Sequence, residues 1–129
     1  MNKILVEVSV GELLDKISIL EIKKEKIKDP AKLKFINAEH AILKDELDKN
    51  VKSDEKLNSL FKSLKEINDK LWVIEEDKRM CEKNSNFTEN FIKLSRDVHF
   101  LNDNRAKIKL EMNNHTGSKI KEIKEYTSY

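Results

Sequence analysis

Apolar residues recur every three or four positions from about Ser9 onward, which is the period of helices with one buried face. The rhythm fails at Asp29-Pro30, in the polar run Asn50 to Asp54, and in the run NSNFT at Asn84 to Thr88. Four helical segments follow. Ser9, with Glu12 three residues on, reads as a capping box opening a helix to about Lys28. Asp29 caps a second helix, with Pro30 in its first turn, that runs to about Lys49. A third and longest helix is capped at Ser53 and ends near Lys83. Thr88 or Asn86 caps a fourth that continues to about Asn114, where Thr116-Gly117 is a stop signal. Ahead of them the β-branched and aliphatic KILVEV, Lys3 to Val8, predicts a short strand or extended arm. The final SKIKEIKEYTSY is either a short amphipathic helix or a flexible tail. The expected fold is all-α, with residues 1–129 forming one domain of two antiparallel hairpins in a four-helix bundle with coiled-coil-like seams.

Polar residues interrupt the apolar stripes. On the first helix Leu13, Ile17, Leu20 and Ile27 define a face, with Glu21 beside it and Lys24 near its centre. On the second, His40 sits among Leu33, Ile36, Leu43 and Leu47. On the third, Leu57, Leu60, Phe61, Leu64 and Leu71 are joined by Asn68, Glu75 and Arg79, with Trp72 alongside. On the fourth, Phe91, Leu94, Val98, Leu101 and Met112 share their face with Asn102, Arg105 and Lys109. Burying an unpartnered amide costs about 1–3 kcal/mol and an unpartnered charge more. These groups therefore pair with one another, meet a ligand, or stand where the helices splay. Each alone has an ordinary explanation: a hydrogen-bonded core histidine, an i,i+4 ion pair of Glu75 with Arg79, a snorkelling Lys24. Their presence on every helix asks for more. Counting back from the hairpin turn, Asn68 and Asn102 fall at similar depth and can face each other. Arg79 and Arg105 are separated by about 20 Å of helix, too far for one compact site in one subunit.

Composition narrows the chemistry without naming it. Charged residues are 39% of the chain, and their signs are interleaved to a net charge of +2, so no strong field for nucleic acid or anionic lipid results. Aromatic residues, at 6%, are too few and too scattered for a nucleic-acid surface. The single cysteine, Cys81, cannot form an internal disulfide and fits a reducing compartment. Without a secretion signal or an apolar run near the ~18 residues of a membrane span, a cytoplasmic protein is expected. No glycine-rich phosphate loop, Cys-x-x-Cys or H-E-x-x-H occurs, and the three histidines are badly spaced for one metal. No metal and no cofactor are expected.

Three blocks, VSVGELLDKISILEIK, LWVIEEDKR and SRDVHFLNDNRAKIKLEMN, resemble the signature blocks of a small bacterial family known as a domain of unknown function. The likeness covers about Val6 to Asn114 and is weak between Asp29 and Asp54. It implies a small helical intracellular protein and no particular reaction. The motif residues it implies are Glu12, Asp15, Lys16, Glu21 and Lys24, then Trp72, Glu75 and Arg79, then Arg96, Asn102, Asp103, Arg105 and Lys109. Where the family usually has Trp-Asp-Ile-Glu, this chain has Trp72-Val73-Ile74-Glu75, so it carries no acid at position 73.

The functional expectation is a helical binding or assembly module acting as a homodimer, with its polar groups as pairing and register devices. The alternative is a small enzyme or binding protein for an anionic small molecule. Its candidate residues are Glu21, Lys24, Asn68, Trp72, Glu75, Arg79, Asn102, Arg105 and Lys109. A third reading, nucleic-acid binding through lysine-rich faces, has the near-neutral charge against it.

Overall fold

The caps set the helix starts in a computed structural model that describes residues 2–129. Ser9 Oγ accepts from the Glu12 amide at 3.0 Å and opens α1, Val10–Lys26. Only this half of the predicted capping box forms, because the Glu12 carboxylate turns away to Lys109 on another helix. Asp29 accepts from the Ala31 amide, Pro30 takes the first turn, and α2 runs Pro30–Asn50. The cap of α3, Glu55–Lys83, is Asp54 rather than Ser53: its carboxylate accepts from the Leu57 amide at 2.8 Å, while Ser53 Oγ donates to Asn58. Thr88 stands at the start of α4, Glu89–Thr116, without a side-chain cap bond, and Asn86 Oδ1 accepts from it instead. Gly117 ends α4 in the left-handed conformation expected of a C-terminal glycine.

The result is a four-helix bundle organised around its shortest helix. α1 lies against α2, α3 and α4, and α3 also packs along α4; the backbone of α2 comes close to α1 alone, while its Leu47 reaches the core shared with α3 and α4. Because α1 has neighbours on three sides, the single buried face expected for it is too narrow. Leu14, Asp15, Ile17, Ser18, Leu20 and Ile22 are all buried, whereas Leu13 and Ile27 are half-exposed. The main core joins Leu14, Leu57, Leu64 and Met112, packed against Val10, Leu47, Val51 and Ile108 at the end where all four helices meet. Its deepest members, Leu64 and Met112, are fully enclosed.

Two departures from the expected fold matter for function. Residues 3–8 form no strand, since no sheet edge lies near to pair with, and Ile4, Leu5 and Val6 stay exposed. Beyond Lys26, which reaches Asp69 at 3.6 Å, the α3–α4 hairpin continues without α1 beside it. The extra length, from Asp69 to Lys83, is about 21 Å at 1.5 Å per residue. The chain after Gly117 is not helical, although Tyr129 returns to α4, its ring edge-on to Phe100 and its hydroxyl donating to Asp103.

Candidate functional site

The centre of the α1–α3–α4 contact is polar. Gly11 and Ser18 flank Asp15 on the line of α1 that faces α4 and α3, and their small side chains let the other helices come close. A β-carbon at Gly11 would lie 2.6 Å from the Lys109 carbonyl oxygen. Asn113 Oδ1 accepts from the Gly11 amide at 2.7 Å and closes this contact. Asp15 is 2% exposed. Its Oδ1 accepts from Arg105 Nε at 3.0 Å and from Asn68 Nδ2 at 2.9 Å, and its Oδ2 accepts from Arg105 Nη2. Asn68 also donates to Ser18 Oγ, which donates in turn to the Asp15 carbonyl. Lys109 Nζ donates to Glu12 at 2.8 Å and stands 3.6 Å from Asp15.

Opposing forces act on these titrating groups. Burial pushes the Asp15 carboxyl up, but the hydrogen bonds of Arg105 and Asn68 and the charges of Arg105 and Lys109 outweigh it, leaving it below the ordinary carboxylate range. The hydrogen bond to Asp15 raises Arg105 further above its already high value. Burial lowers Lys109, yet Glu12 and Asp15 together raise it. All three groups are held charged.

Above this cluster, where α4 leaves α1, a groove of about 360 Å³ opens between α1 and α3. Ile19, Ile22, Leu71 and Trp72 give it an apolar lining; Asn68 and Arg105 stand at one end, and Glu75, Glu76 and Arg79 line it further along α3. Five of the nine candidate residues, Asn68, Trp72, Glu75, Arg79 and Arg105, thus share one groove. Arg79 and Arg105, expected to lie too far apart for one site, both line it because it is elongated: Asn68 to Arg79 is about 16 Å of helix.

The other candidates lie elsewhere. Glu21 turns toward α2 and α3, 3.5 Å from His40 Nε2 and 3.4 Å from Lys65, in a smaller cleft. His40 was expected to be a hydrogen-bonded core histidine; its Nε2 is buried beside Glu21 but has no hydrogen-bond partner among the described residues. Lys24 is half-buried on α1. Asn102 is exposed and does not meet Asn68, which α1 has claimed through Asp15 and Ser18. Glu75 and Arg79 are exposed rather than turned into the core, because α3 runs past the end of α1 there. Lys109 belongs to the buried cluster. Asp15, the hub of that cluster, is absent from the candidates drawn from helical phase and stands only among the motif residues that the family resemblance implies. Its signal was the row of small residues Gly11 and Ser18 on either side of it, which marks a close helix approach.

Among the described residues no group of three or more histidines, cysteines and acids is arranged to hold a metal, and no helix is long and apolar enough to cross a membrane. No curated protein and no solved structure was found to match this chain. One family does match, over residues 4–129, and it is described as a family of unknown function. The buried Asp15 cluster and the groove above it are therefore features of a chain that belongs to DUF6165, the Family of unknown function.

Proposed function

We propose that this protein is a helical assembly module that works as a homodimer, with the outer face of α2 as its pairing surface. One observation carries the reading: α2 has two apolar stripes, and the fold covers only one. The inner stripe, Leu33, Ile36, Leu43 and Leu47, lies half-buried against the rest of the bundle. On the outer side Ala31, Phe35, Ala38 and Ile42 follow one another at spacings of four, three and four, the seam of a helix pair. Phe35 is 77% exposed and Ile42 63%. Burying side chains of this size contributes about 1.5–3 kcal/mol each.

A second copy suits this stripe through its flanking charges. In an antiparallel two-fold pairing, Phe35 of each chain meets Ile42 of the other, and Lys32 comes opposite Glu46 on both sides of the axis. The arm before α1 leaves Ile4, Leu5 and Val6 exposed as further apolar surface. The other apolar hollow, around Val73, Phe100 and Leu101, is in contrast already approached by this chain's own Tyr129.

Light scattering across a dilution series tests the proposal. The expected result is a two-chain mass for the native protein and a one-chain mass for Phe35→Glu combined with Ile42→Glu, while Val73→Glu keeps the two-chain mass. A native protein of one-chain mass at every concentration overturns the reading.

A further inference from the structure

We propose that the groove between α1 and α3 binds a zwitterionic amino acid with a large apolar side chain. The inference is independent of the dimer, since α2 contributes nothing to the groove. Glu75 and Arg79 line the groove together and do not pair with each other. Lys44 with Asp48, Lys49 with Asp45, and Lys93 with Asp97 are four residues apart on a helix and close to 3.1 Å or less, whereas Glu12 with Lys16 stands at 4.0 Å and Glu66 with Lys70 stays open on the solvent side. Glu75 and Arg79 have that spacing in the favourable order, acid first. Yet neither has an ion-pair or hydrogen-bond partner among the described residues, and both line the groove. The same holds for Glu76.

The remaining polar groups restrict what can bind. Arg105 is already neutralised by Asp15, so Arg79 is the cation left to receive an anionic group. Both Asn68 amide protons are taken, by Asp15 and Ser18, so the side chain can offer the groove only its oxygen, an acceptor. Glu75 and Glu76 are acceptors too. A purely anionic guest would satisfy Arg79 against the repulsion of two carboxylates; a purely cationic one would leave Arg79 unmatched. An ammonium and a carboxylate on one carbon satisfy both, with the carboxylate on Arg79 and the ammonium donating to Glu75 or Glu76. Ile19, Leu71 and the half-buried Trp72 then receive the apolar side chain, above the buried Ile22. The volume, about 360 Å³, lies in the range of small-ligand sites.

Trp72 is the only tryptophan in the chain, so its fluorescence reports on this groove directly. The probe is L-phenylalanine, which does not emit in that range. Saturable change in Trp72 emission is expected with L-phenylalanine, and about tenfold weaker binding for both 3-phenylpropionate, which lacks the ammonium, and phenethylamine, which lacks the carboxylate. Arg79→Gln should weaken L-phenylalanine and 3-phenylpropionate about tenfold while sparing phenethylamine, and Glu75→Gln combined with Glu76→Gln should weaken phenethylamine while sparing 3-phenylpropionate. These side chains are exposed, so the variants keep the fold, as their helical circular dichroism will verify. No saturable change up to about 10 mM L-phenylalanine overturns the proposal. So does 3-phenylpropionate binding as tightly as L-phenylalanine, which would make the groove a plain anion site.

Discussion

Replacing Asp15 by alanine removes the hub of the polar cluster and leaves its partners in place. The lost carboxylate accepted from Arg105 through two nitrogens and from Asn68, with Lys109 at 3.6 Å. Removing one partner of a buried pair costs about 3–5 kcal/mol because the other charge stays behind. Two features reduce that here. The Arg105 side chain is 29% exposed and can turn toward the groove, and Lys109 keeps Glu12 at 2.8 Å. The expected loss is about 2–4 kcal/mol. Asp15→Leu together with Arg105→Leu removes both charges and leaves Asn68 short of one acceptor, so the double variant should lie within about 1–2 kcal/mol of the native protein. The combined effect is then smaller than the sum of the single ones, with a coupling of at least about 1.5 kcal/mol. Urea unfolding followed by helical circular dichroism measures the native protein, Asp15→Leu, Arg105→Leu and the double variant as a closed cycle, with Asp15→Ala beside them, at one fixed concentration so that pairing does not distort the comparison. An Asp15→Ala loss below about 0.5 kcal/mol, or strictly additive single variants, would refute the claim that this pair holds α4 to α1.

Two further outcomes follow from the same contacts. Because Asp15 is held below its ordinary value, the folded state binds fewer protons there than the unfolded one, and the stability this provides is present above the unfolded value of about 3.9 and lost as pH falls through the folded one. The gap in urea midpoint between the native protein and Asp15→Asn should therefore be constant near neutrality and shrink below about pH 4; an undiminished gap there contradicts the assignment. Gly11→Ala tests the close approach of α1 and α4: alanine favours a helix by up to about 1 kcal/mol, but its β-carbon would meet the Lys109 carbonyl at 2.6 Å, and backbone cannot move cheaply. A net loss of about 1–2 kcal/mol is expected, read as a lower thermal midpoint, and a rise would show that the helices separate freely.

The four helices were legible in the sequence because their breaks are chemical: proline after Asp29, a polar run before Glu55, a glycine after Thr116. The cap of α3 was misplaced by one residue, since Ser53 and Asp54 are both good caps and only the folded turn decides which carboxylate or hydroxyl reaches Leu57. What helical phase could not supply was the number of neighbours each helix would have. A stripe calculation assumes one buried face. It works for α2, whose backbone lies along one helix, and fails for α1, which lies along three. Helical phase passes over Asp15 for that reason, since on a one-faced helix it would be a solvated acid; the family resemblance alone singles it out. The polar residues of α4 pointed in the right direction, since Arg105 and Lys109 on an apolar stripe require an acid, and that acid is on α1.

The cluster and the groove are linked by the path of α4. Gly11, Asp15 and Glu12 fasten its C-terminal half to α1 through Asn113, Arg105 and Lys109. No comparable bond joins α1 to α4 above Arg105 among the described residues, so α4 remains with α3 and leaves the upper part of α1 uncovered on that side. The half-buried Ile19 then lines a groove instead of facing a fourth helix, with the buried Ile22 at its base. Arg105 stands at the division, with Nε and Nη2 on Asp15 while the residue also lines the groove. A guest there would therefore rest on a floor set by α1 and α3 and end against a residue whose position the buried carboxylate determines. On this account the ionic centre is retained less for stability, which an apolar replacement can match, than for fixing where α4 parts from α1.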